Sequence, residues 1–204
     1  NAWQQGVDGV YVFNFHHQTI YNVDDSDVLS QLGDLETLAF KDKLYVIAGT
    51  FDALKRVPHE TSLFEGWKHQ LPVTLHEGSE TSVRFRVADD LETAARRGIL
   101  DAVTLELIVV CLTSEDEFEF KLNGRTLPET ALVALNRHYR VGPGPNAYHG
   151  NYVLRYDVRV GDWVRQGWNE VGAVLKKRNS GIETDFVFHD LSLEINYRLL
   201  PMRG

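Results

Sequence analysis

In two stretches of the chain apolar and charged residues alternate one for one, and no other feature restricts the fold as strongly. In SVRFRV, Val83, Phe85 and Val87 point one way while Arg84 and Arg86 point the other. In YVLRYDVRV, Tyr152, Leu154, Tyr156 and Val158 oppose Arg155, Asp157 and Arg159. A repeat of two is that of a strand with one face buried and one wet, so these segments are half-buried antiparallel strands. NEVGAVLKK and LSLEINYRL alternate in the same way, with Leu191, Leu193, Ile195 and Tyr197 on one face. In FEFKLNGRTL, Asn123-Gly124 suits a positive-φ turn between two strand arms. From Leu71 onward the pattern predicts about seven or eight strands joined by turns, a mainly β fold built as an antiparallel sandwich or jelly roll. One helix interrupts it over Asp89–Gly98, with Asp89 or Asp90 capping its start and Gly98 ending it.

The first part of the chain has a different pattern. Residues 1–5 fit the last turn of a helix, Gly6 stops it, and Val7–Phe15 continues as a strand. Val10, Val12 and Phe13 put apolar groups on both of its faces, as in a parallel strand buried on both sides. Helical spacing through Val28, Leu29 and Leu32 predicts a helix over Ser26–Leu32, stopped by Gly33, and KLYVIAG (Lys43–Gly49) reads as another strand. A linker-like region runs through Pro58 to about Gly66. The expected organisation is thus an α/β remnant over 1–57 and one complete β domain over 58–204. The first residue is Asn1 and the one methionine is Met202, so the expectation is that the reading frame continues upstream.

Composition narrows the function. A formal charge of −8 is shared equally, −4 in 1–57 and −4 in 58–204, and neither part offers the basic surplus that phosphate backbones require, which excludes nucleic acid as the expected partner. No run approaches the ~18 apolar residues of a membrane helix. The single cysteine, Cys111, lies in the apolar run VTLELIVVCL, where burial as a small hydrophobe is expected; no internal disulfide can form.

GVDGVYVFNF resembles the late-strand signature of bacterial glycoside-hydrolase-like (β/α)8 barrels, and LSQLGDLETLAFKDKLYV resembles their last helices and closing segment. FKLNGRTL and YDVRVGDWVRQGWNEVGAVL are similar to galactose-binding-like jelly rolls appended to such hydrolases. The resemblance implies that most of a barrel precedes Asn1 on the same polypeptide, that the partner is an oligo- or polysaccharide, and that the protein is secreted or on the cell surface. It puts Asn14, His16 and His17 where barrel residues contact substrate, and the principal carboxylates on earlier strands.

The residues themselves name no catalytic centre. Glycoside hydrolysis needs two carboxylates at a set separation, and nothing in the sequence pairs two of them. Asp8 reads as a turn residue. The run DDSD (Asp24–Asp27) has oxygens suited to calcium but lacks the glycine and distal glutamate of a helix-loop-helix site, so capping is its expected role and no metal is expected. His16 and His17, adjacent on a strand, point to opposite faces and do not chelate one ion together. VGPGPNA has the spacing Gly-x-Gly-x-x-Ala, but the residues after it read as a strand, so the helix N-terminus of a dinucleotide site is missing and no cofactor is expected. Aromatic residues remain. Tyr139, Tyr148, His149 and Tyr152 flank a proline-glycine bend, with Trp163 and Trp168 further on, and flat rings suit the C–H faces of sugars.

The sequence supports three readings. The first is a non-catalytic sandwich that stabilises the end of a carbohydrate-active barrel and extends its glycan surface. The second is an autonomous carbohydrate-binding module, and the third a structural or interaction domain with its aromatics buried.

Overall fold

The alternating segments come together as two antiparallel sheets packed face to face. The computed structural model describes residues 35–47, 70–136, 151–157 and 163–198. The strand expected over Val7–Phe15, the helix over Ser26–Leu32 and the linker at 58–66 lie outside these. In chain order the described elements are helix α1 (Leu35–Leu38), strands β1 (Lys43–Ile47), β2 (Val73–Leu75) and β3 (Glu80–Val87), helix α2 (Leu91–Arg96), then β4 (Leu100–Val110), β5 (Glu117–Leu122), β6 (Arg125–Thr126), β7 (Leu132–Asn136), β8 (Asn151–Asp157), β9 (Gly167–Lys177) and β10 (Phe186–Tyr197). One sheet runs β1-β10-β4-β8-β7, with β2 also paired to β10; the other runs β3-β9-β5-β6.

Side chains separate across each strand as a period of two requires. Val83, Phe85 and Val87 of β3, Leu154 and Tyr156 of β8, and Leu191, Leu193, Ile195 and Tyr197 of β10 are buried, while Arg84 is exposed and Arg86 half-buried. Rings interlock between the sheets. Phe120 of β5 meets Phe188 of β10 at 5.7 Å and Tyr156 of β8 at 6.4 Å, edge to face, and Phe118 lies 6.3 Å from Phe186. Each buried Leu or Phe contributes about 1.5–3 kcal/mol and each ring pair about 0.5–1.5 kcal/mol more, so the two inner faces dominate the stability.

The local signals translate directly. Asn123 and Gly124 have φ of 51° and 80° and close the β5–β6 hairpin. Asp90 caps α2 by accepting from the Thr93 N–H at 2.9 Å, and Leu91 and Ala94 turn inward. Cys111 departs from expectation: it is half-buried rather than buried. β4 ends at Val110, and the chain turns at Cys111 with φ of 63°, which takes the thiol out of the strand's inward row.

Two buried carboxylates tie the periphery to the sandwich. Asp89, freed from capping, accepts from the hydroxyls of Tyr45 and of Tyr197, the latter at 2.7 Å, and pairs with Lys43 at 2.9 Å. Burial, then the Asp89 carboxylate, pushes both phenols well above their ordinary pKa and keeps them as donors. β1 is thereby held at the edge of the sheet, antiparallel to β10 with Lys43 opposite Ile195 and Ile47 opposite Leu191. At the other end, Asp116 accepts from the Thr113 N–H and hydroxyl at 2.7 and 3.0 Å, from Arg178 at 2.7 Å and from the Asn179 N–H at 2.7 Å. Burial pushes this carboxyl's pKa up, but the hydrogen bonds together outweigh it and hold it below 3.8.

Asp89→Ala strands two phenols and an ammonium, and the expected loss is about 2–4 kcal/mol. Hydrogen exchange at residues 43–47 should accelerate more than at β9; equal acceleration throughout would contradict the clamp. For Asp116 the folded pKa lies below the unfolded one, so its contribution is present above pH 3.8 and is lost as pH falls through the folded value. Urea denaturation should therefore show Asp116→Asn less stable than the parent by about 2–4 kcal/mol at neutral pH, with the gap closing in acid.

Candidate functional site

The outer face of the four-stranded sheet carries the most distinctive exposed side chain, and a buried amide puts it there. Asn169, 1% exposed, points inward from β9. Its Oδ1 accepts from the Arg165 N–H at 3.0 Å and from Asn123 Nδ2 at 2.9 Å, and its Nδ2 donates to the carbonyls of Arg165 at 2.8 Å and Gly167 at 3.1 Å. Both donors and both acceptor positions of the amide are used. Asn123 completes the lock: its Nδ2 also donates to the Trp163 carbonyl at 2.6 Å, and its Oδ1 accepts from the Glu170 N–H at 3.0 Å. Gly167, with φ of 96°, makes the turn into the strand that this bonding needs.

With Asn169 fixed inward, a period of two sends its neighbour Trp168 outward, and Trp168 is 54% exposed. Arg86 stands directly across from it on β3, and Arg84 lies across from Glu170. The Arg84 guanidinium carbon sits 5.0 Å from the Trp168 ring centroid, a cation over an aromatic face. Arg165 Nε donates to the Trp168 carbonyl at 3.1 Å. The Gln70 side chain holds the β3 edge, donating to the Arg84 carbonyl and accepting from its N–H, both at 2.7 Å.

Further along the same face the charges neutralise one another. Lys121 reaches Glu80 at 2.9 Å. Gly172 leaves room for that pair, since a Cβ there would stand 2.8 Å from the Glu80 carboxylate. Lys176 pairs with Glu119. The Lys176 and Thr126 hydrogen bonds hold the Glu119 carboxyl below its ordinary value, the wrong direction for an acid that must protonate a leaving oxygen near neutral pH. The face thus sets an exposed indole plane beside arginine side chains, with ion pairs further along it.

Of the residues singled out from sequence, Asn14, His16, His17, Tyr139, Tyr148 and His149 lie outside the described residues. The backbone of Tyr152 is in β8, opposite Val109 and Asn136. Trp163 is partly buried against the core, with Arg125 4.1 Å over its ring. Trp168, as a strand residue, stands behind the tyrosines as a sequence candidate; the signal for it is the phase of the alternation in GWNEVGAV, with Val171 and Ala173 inward. Among the described residues no three His, Cys, Asp or Glu side chains group as metal ligands, and no helix is long and apolar enough to cross a membrane.

No family model matches the chain, and no curated protein does. Among solved structures it is similar to the catalytic unit of a thermostable GH87 alpha-1,3-glucanase from Streptomyces thermodiastaticus strain HF3-3, at 15% identity and a TM-score of 0.32. That match covers 65% of this chain and 22% of the glucanase, so the chain spans about a fifth of its length. The neighbour is a glycoside hydrolase, and a likeness this distant carries no weight for fold or activity.

Asn169→Ala removes the buried amide that bonds the Arg165 N–H and the carbonyls of Arg165 and Gly167, and a loss of about 1–3 kcal/mol is expected. The same variant should shift the fluorescence of Trp168, read as a difference from Trp168→Phe; an unchanged spectrum would show that the amide does not set the indole's position.

Proposed function

We propose that the β-sandwich is a non-catalytic, glycan-binding accessory unit of a carbohydrate-active protein, following a (β/α)8 barrel whose last elements residues 1–57 resemble. The observation that carries this reading is Trp168, a large apolar ring more than half exposed on an open sheet face and held by a buried hydrogen-bond lock. A more than half-exposed indole on a fixed strand offers an apolar plane that a ligand can cover. Sugars present flat C–H faces that bury well against indole, and a rigid strand presents the ring at low entropic cost.

The strand order supports reading the sandwich as a jelly roll. β2 pairs with β10, β3 with β9, and β4 with both β8 and β10. Early strands thus pair with late ones, as when one long hairpin is rolled into two facing sheets. In this arrangement β1 belongs to the sandwich sheet while lying in the barrel-like segment, so the Asp89 cluster joins the two proposed units.

Affinity electrophoresis of the 204-residue chain through gels containing soluble polysaccharides tests the reading. At least one polysaccharide should retard the chain. Trp168→Ala should weaken that retention about 30-fold, the ~2 kcal/mol typical of a truncated tryptophan anchor, while changing stability by no more than about 0.5 kcal/mol. No retention by any polysaccharide, or retention indifferent to Trp168, overturns it.

A further inference from the structure

Resting on that reading, we infer that the glycan recognised at Trp168 is acidic, its carboxylate or sulfate group held by the Arg84 guanidinium over the indole. The chain as a whole is acidic, at −8, yet among the described residues arginines outnumber carboxylates beside the exposed ring. Arg84 sits over the ring, Arg86 stands across from it, and Arg165 is bonded to its carbonyl, against one carboxylate in the same register, Glu170. The paired end of the face shows what this sheet does with charges that are only structural: Lys121 and Lys176 each meet a glutamate. The Arg84 guanidinium meets an aromatic ring instead.

That placement suits an anion. A guanidinium over an aromatic face engages the ring through its plane and keeps N–H donors along its edge, which match the two oxygens of a carboxylate or sulfate. A sugar ring resting on the exposed part of the indole would bring an acidic substituent to those donors. Arginine is also less tightly hydrated than lysine, so it loses less on closing against a ligand. A neutral glycan would offer these donors only hydroxyl and ring oxygens, which make weaker hydrogen bonds than an ionised acceptor.

The test is titration of the 204-residue chain with size-matched neutral galactan, polygalacturonate and sulfated galactan oligosaccharides, at low and at physiological salt. The expected result is about tenfold tighter binding to an acidic oligosaccharide than to the neutral one, an advantage that shrinks with salt. Arg84→Gln should cut the acidic affinity towards the neutral level. Arg84→Lys, which keeps the charge and loses the planar fork, should fall between, and Glu170→Gln should tighten acidic binding. Preference for polygalacturonate assigns a carboxylate, preference for the sulfated oligosaccharide assigns a sulfate, and either supports the inference. Equal affinity for neutral and acidic ligands, lost in Trp168→Ala, overturns the acidic specificity and leaves glycan binding standing. Acidic binding untouched by Trp168→Ala and Arg84→Gln overturns the site. No binding to any of the three, in a chain that no other polysaccharide retards, overturns both readings.

Discussion

The amide of Asn169 sets the phase of β9, and β9 lies between β3 and β5 in the four-stranded sheet. A strand has two possible phases, and a slip of one residue exchanges its buried and exposed faces. Inward apolar residues alone favour one phase of β9 through Val171, Ala173 and Leu175. A buried polar group adds a penalty for every alternative, because each would strand its hydrogen-bonding atoms away from water. Asn169 satisfies all of its bonding positions in a single arrangement, and that arrangement also fixes the turn at 163–167 and the Asn123 hairpin. The outward position of Trp168 is the other side of the same constraint.

Asp89 and Asp116 act similarly elsewhere. Each is a carboxylate with almost no exposure, and each gathers donors distant in sequence: Tyr45 and Tyr197 at one, Thr113 and Arg178 at the other. Apolar burial supplies most of the free energy of the sandwich but is tolerant of small shifts between the sheets. The carboxylates are not tolerant, since a charge removed from water needs its partners at bonding distance. The core therefore holds the sheets together, and the polar clamps fix where β1 and the loops at 111–116 and 178–184 attach to them.

How much of this is legible in the sequence depends on how local each determinant is. The inward rows of β3 and β10, the Asn123-Gly124 turn and the capped helix at 91–96 each rest on residues a few positions apart, and all are readable. The roles of Asp89, Asp116 and Asn169 are not, because their partners lie far along the chain: Asn123 is 46 residues from Asn169 and Tyr197 is 108 from Asp89. Asp89 illustrates the ambiguity, since an aspartate before a helix reads as a cap, and here Asp90 takes that role. The candidate surface is half legible. Alternation puts Arg84 and Arg86 on one face and Trp168 beside a strand, but only the pairing of β3 with β9 brings them together.

The electrostatics of an acidic chain with an arginine-rimmed indole turn on distance. At physiological ionic strength charges are screened over about 8 Å, so the net −8 acts on an approaching anion as a weak and diffuse repulsion. Arg84, 5.0 Å from the ring centroid, lies inside that length for anything resting on Trp168. Once a ligand is seated, the local cations outweigh the distant carboxylates. Lowering the salt strengthens both terms: the repulsion acts mainly on the approach, while for a seated ligand the close-range attraction stays the larger, so tight binding to an acid is favoured at low salt. Slow capture combined with slow release is the expected kinetic character of such a surface. For the acidic glycan proposed above, such kinetics would retain a long, repeating chain, because a unit that left the ring would be followed by the next acidic unit along the polymer.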